Sequence, residues 1–163
     1  MKQWSLIKDT YSKDQNGKLC SYFKYKNLFE FEKYLLIIKD EKRRNLTKFR
    51  LSNHCLRVES GRYERVRNNL GRLIMLPRNE RFCLLCNSDL VEDEIHSMFE
   101  CKSLKELRDN FFMKNIFQLY PNLTFLNYDQ LFIWVMSNED PQFIKQLSQY
   151  LLLLYEFRRN FKN

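Results

Sequence analysis

Apolar residues recur at helical spacing along much of this chain. Leu28, Phe31, Leu35 and Ile38 share one face of a helix predicted from 28 to about 40, with Asn27 placed to cap it. A second helix, from about 42 to 53, carries Leu46, Phe49 and Asn53 on one side. Arg44 and Lys48 lie opposite, with Arg43 and Arg50 on the flanks. The period then changes. Leu56, Val58 and Ser60 alternate with Arg57 and Glu59, which reads as a short strand ending at Gly61. Residues 62–79 show no clear period, contain Gly71 and Pro77, and read as a basic loop. A short helix is expected over 92–99. Ser103 stands as an N-cap with Glu106 three residues on, the pattern of a capping box, before a helix whose apolar side is Leu104, Leu107 and Phe111. Two more helices are predicted at 128–136 and 141–161. The last opens on Pro141 and is lined by Phe143, Leu147, Leu151 and Leu154.

Composition narrows the class. Hydrophobic residues make up 44% of the chain, ample for a packed core, and three Gly and three Pro leave little room for long linkers. The longest apolar run, 150–155, falls far short of the roughly 18 residues of a membrane span. The first 18 residues lack the apolar centre of a signal peptide. The expectation is an intracellular protein, nuclear and/or cytoplasmic, with no membrane partner. In that reducing setting five cysteines point to metal or free thiols. The net charge of +8 is unevenly placed. Residues 39–81 hold 13 Lys or Arg against five Asp or Glu, so the entire excess lies there. A localised basic segment is the usual footprint of a polyanion-binding surface.

Directly after it the chain reads Cys83-Leu-Leu-Cys86, nine residues, His96, four residues, Cys101. A Cys-x2-Cys turn places two thiolates on one ion, and a His-x4-Cys pair on a helical turn can supply two more ligands. Three thiolates and an imidazole fill a zinc tetrahedron with no open position, the pattern of a structural site. Cys20, His54 and Cys55 fall outside this pattern, and the two cysteines are expected as core or surface thiols. The expected fold class is mostly α, a small helical domain with a central Cys-Cys-His-Cys zinc knuckle holding one structural Zn2+. Its parts are a loosely structured lead-in (1–26), a helical basic segment (27–62), a basic loop and knuckle (63–103) and a C-terminal helical region (104–163).

These residues resemble a known family. The arginine-rich stretch LTKFRLSNHCLRVESGRYERV (46–66), NERFCLLC (79–86) and VEDEIHSMFEC (91–101) are similar to the region that follows the reverse transcriptase in non-LTR (LINE-type) retrotransposon polyproteins. The resemblance covers roughly residues 18–112. It implies that Cys83, Cys86, His96 and Cys101 hold zinc. It also implies that the basic surface engages RNA template or target DNA, with a reverse transcriptase acting in cis or in trans as a partner. By position Arg50, His54, Arg57, Arg62 and Tyr63 match the family's basic stretch. The run 68–75 is longer than the family's usual link between Gly-Arg-Tyr and the first cysteine pair.

Catalysis is not expected of this chain. No Asp-Asp pair offers the two-metal site of a polymerase, and the scattered glycines make no phosphate loop. The acids Glu92, Asp93 and Glu94 read as a solvated helix start opposing the dipole. The expected role is a non-catalytic zinc-binding, nucleic-acid-binding module. Arg43, Arg44, Lys48, Arg50, Arg57, Arg62, Arg65 and Arg67 are the candidate phosphate contacts, and Tyr63 and Phe82 the candidate stacking rings. The alternatives are a zinc-stapled protein-interaction module, using Phe132, Trp134, Tyr150, Tyr155 and Phe157 as its surface, and a truncated retroelement remnant without present activity.

Overall fold

In the computed structural model, residues 19–28 and 30–161 are described. The fold is mostly helical. Helix α1 spans Cys20–Tyr25, α2 Tyr34–Ile37, α3 Asp40–Arg50 and α4 Arg57–Ser60. Two antiparallel hairpins follow: β1 (Arg65–Arg67) with β2 (Leu73–Met75), and β3 (Phe82–Cys83) with β4 (Ser88–Val91). A π-helical turn occupies His96–Glu100. Helix α5 (Lys105–Arg108) runs on through π-helical turns at Asp109–Ile116 into α6 (Phe117–Leu119). The chain closes with α7 (Tyr128–Ser137) and α8 (Pro141–Phe161). Among the described residues no helix is long and apolar enough to cross a membrane.

Helix α8 organises the core. Asp140 caps it by accepting from the Phe143 backbone N–H at 2.7 Å, Pro141 needs no partner for its nitrogen at the first turn, and no glycine interrupts the helix. Leu147, Leu151 and Leu154 are buried as the spacing predicts, each worth roughly 1.5–3 kcal/mol in transfer free energy. Tyr150 stacks on Phe111 with ring centroids 4.7 Å apart. Helix α3 lies along α8 and buries Leu46 and Phe49 between them. The core draws on α1 through α8 and on both halves of the cysteine segment, so all three predicted segments after the lead-in share it. Of the lead-in itself, 1–18 lie outside the described residues, and 20–25 are helical rather than loose.

Several local expectations are corrected. The helix predicted over 28–40 is reduced to α2, and Leu28 and Phe31 are exposed. The reason is Glu32. Its carboxylate accepts from the Tyr22 hydroxyl at 3.0 Å and pairs with Arg50 at 3.0 Å and Lys26 at 3.4 Å, which pins the chain in a non-helical path. The strand predicted from 56 is helix α4, because the Val58 N–H is taken by the Glu92 carbonyl and the Ser60 N–H by Leu56. The basic loop folds in part into the β1–β2 hairpin, and Asn68 ties its turn by accepting from the Leu70 and Arg72 N–H groups at 3.0 and 2.9 Å. This accounts for the length of 68–75. Ser103 does not cap α5. Its hydroxyl donates to the Leu85 carbonyl at 2.7 Å and so fastens the knuckle to the helical body. The capping box occurs instead at Asn127 and Gln130, before α7.

Candidate metal centre

The β3–β4 hairpin supplies the first two candidate ligands. Its four-residue connection puts Cys83 and Cys86 on the inner side, Leu84 in solvent and Leu85 in the core. Asn87 closes the turn at φ 48°, in the left-handed region that asparagine tolerates better than most side chains. The second pair comes from the helical turn that follows. Asp93 starts it, its carboxylate accepting from the His96 N–H at 2.8 Å. In an α-helix, residues five apart lie about 140° apart around the axis. Here the turn widens: the Cys101 N–H donates to the His96 carbonyl at 2.8 Å, an i to i+5 bond. That widening brings Cys101 round to the side His96 faces, which a regular helix would not do.

The result is a compact donor set. The three sulfurs and one imidazole nitrogen all lie within 4.8 Å of one another and can hold one metal ion. Cys83 Sγ and Cys101 Sγ are 3.9 Å apart, and Cys86 Sγ and His96 Nε2 are 3.4 Å apart. A tetrahedral ion with bonds of about 2.3 Å to sulfur and 2.0–2.1 Å to nitrogen has edges of about 3.8 and 3.6 Å. Those two spacings are close to these edges. Three of the four ligands are buried, Cys86 being the partly open one.

The surrounding electrostatics suit a cation. The hydrogen bond shared with Cys101, together with burial, pushes the Cys83 thiol up to about 12, and the same bond lowers Cys101. At Cys86 burial works upward, but the Ser88 hydroxyl, 3.1 Å from the sulfur, and the Ser88 backbone prevail and hold the thiol below its ordinary range. Burial pulls His96 down, but the sulfurs of Cys83 and Cys86 outweigh it and raise the imidazole to about 9. Four groups are thus sharing protons across one small volume, and a metal ion would displace them. Glu100 sits 3.4 Å from His96 Nδ1, where it favours the tautomer that turns Nε2 to an ion.

A buried polar frame holds this unit in place, and it corrects the reading of the acids before His96 as solvated. Glu92 is 0% exposed, and its carboxylate lies 2.8 Å from the Arg158 guanidinium of α8 and accepts from the Arg57 N–H at 3.0 Å. Burial raises the Glu92 carboxyl above its usual range, opposed by Arg158. Glu94 is likewise buried. Burial would raise it, but hydrogen bonds from His54 at 2.9 Å and Ser52 at 2.8 Å hold it down at about 2. These partners arrive through the end of α3. Ser52 takes φ 47°, its N–H bonds to the Phe49 carbonyl and the Asn53 N–H to that of Lys48, a Schellman ending that points the Ser52–His54 stretch at Glu94. Arg81, also buried, donates to the Leu76 and Val58 carbonyls and clamps the base of the β1–β2 hairpin. Ser52, His54, Glu92, Glu94 and Arg158 were thus missed as supports of the centre. For Ser52, His54 and Glu94 the signal was in the motifs Arg-Leu-Ser-Asn-His and Val-Glu-Asp-Glu, polar stretches that meet each other, whereas nothing local marks Arg158 as the partner of Glu92.

The candidate nucleic-acid contacts divide. Arg50 is withdrawn: it is buried, donates to the Met136 carbonyl at 2.7 Å, pairs with Glu32 and lies over the Tyr25 and Tyr34 rings at 4.9 and 5.0 Å. Arg57 is paired with Glu64, and Arg62 with Glu59 at 2.9 Å, which commits both to local structure. Arg65, Arg67 and Tyr63 are exposed, Tyr63 at 73%, and so are Arg43, Arg44 and Lys48 on α3. Phe82 is 39% exposed. The aromatic surface expected of the C-terminal region is mostly core. Phe132, Tyr150 and Tyr155 are buried, Trp134 is half-buried, and Phe157 alone of the five is exposed. No family model, curated protein or solved structure matches the chain.

Proposed function

We propose that the chain is a non-catalytic nucleic-acid-binding module stapled by one structural zinc ion at Cys83, Cys86, His96 and Cys101. On this reading it is related to the region that follows the reverse transcriptase in non-LTR retrotransposons. Zinc is favoured among metals by a donor set of three sulfurs and one nitrogen at tetrahedral spacing, with every position supplied by protein and none left for a reacting water. The single observation that carries the binding role is the sorting of the basic segment. Arg50 and Arg81 are consumed by structure, while Arg65, Arg67 and Arg72 are exposed on one hairpin, Arg67 donating one N–H to the Gly71 carbonyl at 2.9 Å, and Tyr63 is exposed two residues before β1. Exposed cations and an exposed aromatic ring close in the chain suit phosphates and an unstacked base of a single strand.

The test has two steps. Elemental analysis of purified protein should give about one zinc per chain, as one closed site requires. A Cys83→Ser/Cys101→Ser double variant should lose it. Binding of single-stranded RNA and DNA should then weaken with salt, each neutralised phosphate contributing about −0.7 to the slope of log affinity against log salt. Replacing Arg65, Arg67 and Arg72 with Gln should flatten that slope by roughly 2 if all three touch phosphates. An unchanged slope would move the nucleic-acid contact elsewhere or remove it.

A second reading has its own observation. Leu73, Ile74 and Met75 form an apolar strand β2 with all three side chains exposed. A protein partner such as a polymerase could cover it. Binding that changes little from low to physiological salt would favour this reading.

A further inference from the structure

The β1–β2 arm has an open edge that neither the core nor the metal centre uses. Its register pairs Arg65 with Met75, Val66 with Ile74 and Arg67 with Leu73. On either side of these pairs the Leu76 N–H donates to the Glu64 carbonyl at 2.8 Å and the Asn68 N–H to the Arg72 carbonyl at 2.9 Å. In an antiparallel ladder, pairs that exchange hydrogen bonds alternate with pairs that do not. Glu64 with Leu76, Val66 with Ile74, and Asn68 with Arg72 are therefore the bonded pairs. The N–H and C=O groups of Leu73 and Met75 point away from β1, as those of Arg65 and Arg67 point away from β2. Among the described residues no other segment bonds to these groups.

The two edges are not alike. On β1, Arg65 and Arg67 are the kind of charged side chain that keeps one sheet edge off another. On β2 the residues Leu73, Ile74 and Met75 carry no charge and no proline, their register runs unbroken, and they are 59%, 37% and 47% exposed. An exposed apolar edge is a template for another strand. A helix or a compact loop laid on it would leave the outward backbone groups unmet, so the occupant that fits is an extended chain.

We propose that β2 pairs with β2 of a second copy of this chain, antiparallel, about a two-fold axis at Ile74. In that arrangement the strand complements itself. Leu73 of one copy lies opposite Met75 of the other and exchanges both backbone bonds with it, on either side of a central Ile74–Ile74 pair. Apolar side chains then meet apolar side chains on both faces. Arg72 stands opposite Leu76, and Pro77, with no N–H to give, ends the ladder. Charge selects the same edge. Each copy carries a net charge of +8. Pairing through β1 would set the arginines of both copies against one another. Pairing through β2 leaves them on the outer strands, three strand spacings or about 14 Å apart. That exceeds the Debye length of about 8 Å at physiological salt. Nearer the seam, Arg67 and Glu80 line one recess with Ile74 and are of opposite sign. A pairing this short falls below the roughly 1,000 Å² of a stable interface, so the dimer is weak and depends on concentration. It needs no nucleic acid, and it stands or falls apart from the binding role proposed above.

Sedimentation of the full chain without nucleic acid, at concentrations up to about 1 mM, should show the mass rising from one copy toward two. Amide exchange at Leu73 and Met75 should slow in step, while that at Arg65 and Arg67 should not. Met75→Pro removes one outward N–H and leaves the bonds of Ile74 and Leu76 to β1 in place. It should weaken association about tenfold, the scale of a lost hydrogen bond. Ile74→Glu sets two carboxylates directly against each other and should weaken it further, most at low salt. Cross-strand NMR contacts between Val66 and residue 74 check that the hairpin persists in both variants. A chain that stays monomeric at the highest concentration overturns the pairing and leaves β2 to a different protein. A dimer that both variants retain, or one in which Arg65 and Arg67 rather than Leu73 and Met75 become protected, overturns it as well.

Discussion

The two hairpins are close in sequence and alike in size, yet they are held by different means. In β3–β4 the ends are drawn inward: Cys83 and Leu85 are buried, Ser103 grips the Leu85 carbonyl, and the Glu92–Arg158 pair secures the exit from β4 to α8. In β1–β2 all the strand residues except the half-buried Val66 are exposed, and the attachment is confined to its base, where the Leu76 N–H bonds to Glu64 and Arg81 holds the Leu76 carbonyl. An isolated two-stranded hairpin is marginal in water. One is therefore rescued by cross-links and burial, whereas the other is left as a projecting arm. The difference suits the proposed division of labour, in which a fixed staple supports a surface free to meet a partner.

On the proposed reading, removing the metal should break this comparison most. Structural zinc contributes apparent binding energies of about 10–16 kcal/mol in small domains, and that energy is folding energy. With chelator, or in Cys83→Ser/Cys101→Ser, hydrogen exchange should rise across 82–101 and thermal stability should fall. Exchange in 65–75 should change little, since those amides are already close to solvent. Equal loss of protection in both hairpins would mean that the arm depends on the staple, and an unchanged profile in 82–101 would mean that no metal is bound there.

Next in size is the buried frame. Arg158→Met leaves Glu92 buried without its countercharge, and such a break typically costs about 3–5 kcal/mol. The loss should appear in denaturant unfolding. Adding Glu92→Met should recover part of it, because a well-packed apolar pair can replace a buried ion pair. Single and double variants both as stable as the wild type would show that the pair does not support the knuckle.

Much of this frame explains what could and could not be read from the chain. The Cys83, Cys86, His96 and Cys101 set was legible because a donor set able to hold a metal ion needs particular residue types at short spacing. Helix α8 was legible because its cap, its Pro141 and its apolar face all lie within one segment. The acids before His96 were not, since their burial depends on Arg158, far along the chain from Glu92, and on Ser52 and His54 at the end of another helix. The helix expected at 28–40 failed for a similar reason: Glu32 finds its cation in Arg50 across the fold, and the same pairing takes Arg50 from the surface set. Short-range signals predicted elements, while long-range ion pairs decided which charges were free to act.

The clamp at the base of the arm allows a smaller test. A Cβ added at Gly61 would lie 3.1 Å from Arg81 Cγ and 3.4 Å from Leu76 Cδ2. Gly61→Ala should therefore displace the Arg81 side chain and destabilise the protein by about 1–3 kcal/mol, the usual range for overpacking. Faster exchange should follow in 64–76, with metal content unchanged. Metal loss in this variant would place the clamp within the staple.

The smallest effect is expected at the tip. Gly71 has φ +72°, and a Cβ there would meet nothing within 4 Å. Gly71→Ala thus carries only the backbone penalty of the left-handed region, about 1–2 kcal/mol. That penalty acts on a segment whose own opening costs little. If the arm frays more cheaply than it can hold the strained turn, the global loss is capped at the free energy of fraying, so denaturant unfolding should move by less than about 1 kcal/mol. Metal affinity should not move. A loss equal to the full backbone penalty would show that the arm is folded as firmly as the knuckle beside it, and the contrast between a fixed staple and a projecting arm would have to be abandoned.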